Sequence, residues 1–316
     1  MLYYYALLYY NINLKQIKTM KKIHLISTLI GLLAFSTISK ADLKVVTSIK
    51  PIHSLASYIM DGVGSPGLIV DGYNSPHSFQ LKPSHAKMLE QADIIFWIGE
   101  DLENFLEKPL ATIAKKAEKI ELLEIKDIKK LKFRERNIFE EHEGHDDHGH
   151  GEYDPHIWLD PINAKVILNE ITEHLIENDS KNASTYKSNL AKALAKIDKL
   201  IIDVITETNT DLSYVVFHDA YQYYENRFNV NILGAMTVNP DVMPGAEQIH
   251  EIHEIIEHDN VSCILSEPQF NPDIIKSIAK DTNVKTGVLD PLGANLKPGK
   301  DLYFDLIRNM SASFNC

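Results

Sequence analysis

From residue 43 onward, short apolar, β-rich runs alternate with stretches whose apolar positions recur every three to four residues. The runs at 43–48 (LKVVTS), 67–70 (GLIV), 93–98 (DIIFWI) and 119–123 predict strands, and 53–60, 84–91 and 103–114 predict the helices between them. Strands separated by helices of this length form βαβ units on a parallel sheet. The rhythm breaks across 131–155. Helical periodicity returns at 163–176 and again over 182–208, where Tyr186, Leu190, Ala193, Leu194, Ile197, Leu200, Ile201, Val204 and Ile205 make one apolar stripe. That is a rod of roughly 40 Å at 1.5 Å per residue. A second alternation follows, with strands predicted at 214–217, 230–233, 261–265 and 284–289 and helices at 220–227, 245–258, 273–280 and 302–312. The predicted fold class is α/β: two parallel-sheet lobes of the (β/α)4 type, near 42–180 and 210–316. A long rigid helix over 181–209 joins them, leaving a cleft between the lobes.

Residues 1–41 read as an upstream extension plus signal peptide rather than part of the fold. Lys18, Lys21 and Lys22 precede an apolar run at 25–38, and Ser39-Lys40-Ala41 supplies the small residues of a cleavage site. The run is shorter than the roughly 20 residues of a membrane span. An exported, soluble, periplasmic protein is expected. The whole chain carries a formal charge of −12, and residues 1–41 hold five lysines and no acids, so the remainder carries −17. Such a surface disfavours nucleic acid and favours cations. The two cysteines, Cys263 and Cys316, read as a disulfide in an oxidising compartment; the rival, a metal thiolate, lacks any CxxC spacing.

The break in the pattern is where chemistry concentrates. An acidic loop at about 137–152 carries His142, His145, His148 and His150 among carboxylates, a composition suited to borderline divalent ions. It is expected to bind metal weakly, multivalently and exchangeably, as an accessory, and with little apolar surface to bury it is not expected to order without metal. Other apparent motifs fail on context. Gly62-Val63-Gly64-Ser65-Pro66-Gly67 matches GxGxxG, but a helix precedes it and a strand follows, the reverse of a dinucleotide site. His250-Glu251-Ile252-His253-Glu254 stops short of HExxH, because position 254 is Glu. What survives is positional, since ligands of α/β sheets bind at the carboxyl ends of strands. His77 follows the second strand, His156 sits in DPHIWLDP, His218 ends the strand YVVF, and Asp290 ends the strand TGVL. Three histidines and one carboxylate converging from both lobes match a four-coordinate Zn²⁺ site.

At these residues the chain resembles a known family. The segments SPHSFQLKPS, DPHIWLDP, FHDAYQYYENRF, SEPQF and GVLDPLGA are similar to the zinc-binding (ZnuA) branch of the cluster A-I, ABC-type periplasmic solute-binding proteins. The resemblance implies two α/β lobes, a rigid connecting helix and a cleft metal on His77, His156 and His218. It also implies an acidic His-rich insertion at roughly 137–152 and a disulfide between Cys263 and Cys316. One departure stands out. Some zinc-specific members carry Glu directly before the first histidine, where this chain has Pro76, so the fourth position falls to Asp290 or to water. Manganese-binding members usually carry Glu where this chain has His218, and imidazole favours Zn²⁺ over Mn²⁺.

The expected function is therefore high-affinity capture of Zn²⁺ by a monomeric receptor that delivers it to the membrane permease of an ABC-type importer, without catalysis. Two alternatives stay open at this point. One is a manganese receptor of the same family. The other is an exported zinc enzyme, for which Asp219 or Glu267 would serve as general base.

Overall fold

Every residue of β1 (Val45–Ile49) is buried, as expected of a central parallel strand covered on both faces. In this computed structural model, which describes residues 42–134, 152–238, 240, 242 and 244–316, β1 pairs in parallel with β2 (Gly67–Val70) and β3 (Ile94–Trp97). β4 (Glu118–Glu121) completes a sheet of order β2-β1-β3-β4. The second sheet repeats the plan with β5 (Ser213–His218), β6 (Asn231–Thr237), β7 (Cys263–Ser266) and β8 (Lys285–Val288) in the order β6-β5-β7-β8. The two parallel sheets with flanking helices bear out the predicted two-lobe α/β fold.

Helices fill the crossovers. α1 (Lys50–Ile59), α2 (Pro83–Gln91) and α3 (Glu100–Thr112) belong to the first alternation. α4 (Pro161–Asn178) leads into the long α5 (Ala183–Glu207), and α6 (Gln222–Phe228), α7 (Ala246–His258) and α8 (Asp273–Thr282) belong to the second. The last helix, α9 (Leu302–Ser313), packs against α1 and α5. α1 starts three residues before the expected 53 because Pro51 lies in its first turn, where a missing N–H costs nothing. α3 breaks at Glu103 (φ −114°, ψ 52°), whose carboxylate turns back to accept Ile98 N (2.9 Å) and Gly99 N (3.0 Å).

The stripe on α5 is narrower than its sequence pattern. Tyr186, Ala193, Ile197, Leu200 and Val204 are buried, but Ile205 faces solvent. Asn189 takes a buried place instead, donating to the carbonyls of Ile59 and Asp61, both at 2.9 Å. Apolar contacts around this helix run without interruption from Val46 and Ile52 through Leu168 and Ile197 to Tyr214, Val216 and Phe314. The alternate residues of β5, Val215 and Phe217, face a separate cluster with α7 and α8. Strand parity thus gives the second sheet one face toward the shared core and one toward its own helices.

The expected signal segment, 1–41, and the histidines His142, His145, His148 and His150 lie outside the described residues. Among the described residues no helix is long and apolar enough to cross a membrane. Cys263 and Cys316 form the expected disulfide, tying β7 to the chain end over a separation of 53 residues. Replacing both cysteines by alanine is expected to lower unfolding free energy by up to about 4 kcal/mol in the chain-entropy model. Urea denaturation checks this, and an unchanged midpoint would contradict it.

Candidate metal centre

His77, His156 and His218 reach one point from three different kinds of local structure. His77 stands in the loop after β2, its backbone N–H donating to Ser75 Oγ at 3.2 Å. His156 caps a single 3₁₀ turn, Ile157–Leu159, and His218 is the last residue of β5, on the parity of Tyr214 and Val216. One nitrogen from each of the three lies within 4.8 Å of the others. Ring centroids are 5.6 Å apart for His77–His156 and His77–His218, and 5.3 Å for His156–His218.

Two buried carboxylates decide which nitrogens face inward. His156 Nδ1 lies 2.7 Å from Asp154 Oδ1, which also accepts the His156 backbone N–H at 2.9 Å. His218 Nδ1 lies 2.6 Å from Glu267 Oε1. An Nδ1–H donated to a carboxylate leaves Nε2 as a lone pair. The two Nε2 atoms face each other at 3.4 Å. In a tetrahedral site with metal–nitrogen bonds of about 2.0–2.1 Å, neighbouring ligand nitrogens lie about 3.3–3.4 Å apart. Carboxylate–imidazole pairs of this kind are how metal-binding histidines are oriented.

The electrostatics fit the same reading. Burial, then the neighbouring imidazoles, hold His77 and His156 well below the ordinary histidine pKa, so both stay neutral. At His218 burial pulls the same way, but the charge and hydrogen bond of Glu267, with Asp219 and Asp154, outweigh it and raise the pKa. Burial raises Asp154 to about 7. Asp219, next to His218, is committed elsewhere: Arg134 grips it with Nε (2.9 Å) and Nη2 (2.7 Å), and also pairs with Glu225.

Of the expected ligands, the structure brings together the three histidines and not Asp290. Asp290 Oδ1 accepts from Gln269 Nε2 (2.9 Å), Leu292 N (3.1 Å) and Gly293 N (2.9 Å), and Oδ2 accepts from Ala294 N (2.6 Å). Its carboxylate is spent on the turn that follows β8. Asp154 went unnoticed as a partner in the sequence, although its spacing two residues before His156 was the available signal. Glu267 was named there as a possible base and proves to be a partner of His218.

The histidines border a cavity of about 10 Å³, the size of one water or one ion. Trp158, Phe270, Pro291 and Leu292 close it with apolar surface. A larger groove of about 670 Å³, with Tyr73, Phe79, Lys82 and Pro240 on its walls, shares Ser75, Gln269 and Phe270 with this cavity.

Fold and site together define a two-lobe α/β protein with a three-histidine cluster between its sheets. The family model of ZnuA, zinc-uptake complex component A periplasmic, matches residues 45–315. The high-affinity zinc uptake system protein ZnuA of Brucella abortus (strain 2308) is 41% identical over 303 residues, covering 85% of this chain and 90% of that protein. The protein of the same name from Yersinia pestis is 37% identical over 300 residues, covering 90% and 94%. A crystal structure of ZnuA superposes with a TM-score of 0.71 at 22% identity, over 86% of this chain and 100% of that one. The chain belongs to the ZnuA family.

Glu267→Gln would leave the shape of the site intact while weakening the acceptor that orients His218. The expected result is a 10–100-fold loss of zinc affinity with the fold retained, read by competition with a chromophoric chelator. Unaltered affinity would remove Glu267 from any orienting role.

Proposed function

We propose that this protein is a zinc-capturing receptor of the periplasm that hands Zn²⁺, its cargo, to the membrane permease of an ABC-type importer. His77, His156 and His218 are the ligands. The observation that carries this is the 3.4 Å approach of two Nε2 atoms whose Nδ1 atoms are both engaged by carboxylates. Two facing lone pairs in a buried site call for a cation between them. The family model and the curated relatives are named for zinc uptake, which supports the same cargo and the same transport system. All three imidazoles come from one chain, so a monomer suffices. Residues 42–180 and 210–316 serve as the two lobes and 181–209 as their connecting helix. We assign His142, His145, His148 and His150 an accessory, exchangeable role in loading.

A manganese cargo is disfavoured by the donor set, since three imidazoles suit Zn²⁺ and carboxylate oxygens suit Mn²⁺. Zinc-dependent hydrolysis is disfavoured by the size of the cavity and by the commitments of Asp219 to Arg134 and Glu267 to His218.

Equilibrium dialysis with His218→Ala tests the assignment: tight binding should disappear, and tight zinc binding that survives would sink it. In a direct titration, Zn²⁺ should outcompete Mn²⁺; a manganese preference would overturn the choice of cargo.

Metal needs neutral imidazoles, so protons compete with it. His218 has a raised pKa, so competition there begins above the ordinary value of about 6.5, while the lowered values of His77 and His156 spare them. As pH falls through the raised His218 value, binding should therefore release protons and weaken. Calorimetry in buffers of different ionisation enthalpy measures this, and a pH-independent affinity would contradict it.

A further inference from the structure

Lys50 is a buried cation that spends its protons on one loop of the opposite lobe. It opens α1 where β1 ends, and only 3% of its side chain is exposed. Its Nζ donates to the carbonyl oxygens of Gly293 (2.7 Å), Ala294 (3.0 Å) and Leu296 (2.7 Å). An ammonium has three protons, and these three bonds use them all. Asp71, with Oδ1 3.7 Å away and a side chain 60% exposed, is a distant and solvated counter-ion.

The same loop is gripped from its other side. The amides of Leu292, Gly293 and Ala294 all point at the Asp290 carboxylate. Gly293 makes the reversal possible: its φ is +70°, and an added Cβ would meet Leu296 Cδ1 at 3.1 Å. The peptide run therefore lies between an anion and a cation, its N–H groups turned to one and its carbonyls to the other. Pro291 and Leu292, at the start of the run, wall the metal cavity, and Pro291 O accepts Trp158 Nε1 at 2.8 Å.

We propose that Lys50 is a positioning residue that sets metal selectivity: by holding the carbonyls of 293–296 it keeps the amide nest shut on Asp290, and so keeps that carboxylate out of the metal's coordination sphere. The proposal rests on the zinc-receptor reading above. To reach an ion on the histidines, Asp290 would have to give up three amide donors and Gln269, each a charge-assisted hydrogen bond. With Asp290 held back, the donor set is three imidazoles and an open position, which favours Zn²⁺. With Asp290 released, it gains an anionic oxygen and becomes a set that Mn²⁺ accepts more readily.

Three full-chain variants test this by zinc and manganese competition titrations: Lys50→Met, Asp290→Asn and the double variant. Asp290→Asn should keep zinc affinity within about threefold, because this carboxylate bonds only to Gln269 and the loop amides and, unlike Glu267, orients none of the histidines. Lys50→Met should narrow the zinc-over-manganese affinity ratio by about tenfold or more, through the added oxygen donor. The double variant should restore the ratio, because an amide does not supply the anionic oxygen. A loss of about tenfold or more in zinc affinity from Asp290→Asn alone would overturn the proposal, as the loss of a ligand. So would a folded Lys50→Met protein with an unchanged ratio. Should Lys50→Met fail to fold by circular dichroism, Lys50→Gln, which keeps a polar head but offers the three carbonyls fewer protons, takes its place: it should narrow the ratio likewise, and an unchanged ratio would overturn the proposal. Wild-type protein lacking a tight zinc site would overturn the functional reading itself, whereas a tight site indifferent to Lys50 overturns only the role given to Lys50.

Discussion

Two imidazole nitrogens, 3.4 Å apart and each presenting a lone pair, are the interaction around which this molecule is arranged. Alone they repel, in surroundings with little water to screen them. The fold tolerates the arrangement because Asp154 and Glu267 fix the rings from behind, and because a cation turns the repulsion into attraction. The orienting acids are expensive in their own right. Asp154 is buried, and its Oδ2 has no hydrogen-bond partner among the described residues. Natural cores seldom keep such a group without a use for it.

Holding nitrogens from distant parts of the chain at that spacing demands rigid supports, and DPHIWLDP supplies several within eight residues. The Asp154 carbonyl accepts the Tyr223 hydroxyl at 2.8 Å, and that hydroxyl in turn accepts Leu131 N at 3.0 Å. Trp158 donates to Pro291 O, and its own carbonyl accepts the Tyr303 hydroxyl at 2.8 Å. Asp160 caps α4 by accepting Ile162 N at 2.8 Å, and it receives Arg227 as a bidentate pair at 2.7 and 2.8 Å. The segment is thus bonded to residues of the second alternation at Asp154, Trp158 and Asp160 while its histidine points into the cavity. Around it the core along α5 is continuous through both sheets, so the lobes share one apolar interior rather than merely touching.

Much of this was legible in the sequence, and the limits have physical causes. The βαβ rhythm and the long helix are local periodicities, so strands and helices appeared close to their expected positions. The three histidines that converge were legible as candidates because strand ends and loop starts are where α/β folds put ligands. What escaped depends on contacts far apart in the chain. Nothing local to Glu267 says that it faces His218, 49 residues away, or that Lys50 meets carbonyls more than 240 residues on. Asp290 occupied the right kind of position, a strand end, and the turn after it took its carboxylate. On α5 the pattern included Ile205 and passed over Asn189, because a buried amide with two carbonyl partners satisfies the core as well as an apolar residue does.

The charge around the cavity follows the same logic as its geometry. A divalent ion in a buried site needs negative charge nearby, yet that charge must not stand unbalanced when the ion is gone. Asp219 and Glu225 are answered by Arg134, Asp160 by Arg227, and Asp290 by backbone amides with Lys50 behind them. Two carboxylates then remain directed at the imidazoles, Asp154 and Glu267, and two negative charges balance one divalent cation. Burial lifts Asp154 to about 7. A cation on His156 favours its ionised form, because charge on the carboxylate strengthens the bond to Nδ1 and the basicity of Nε2.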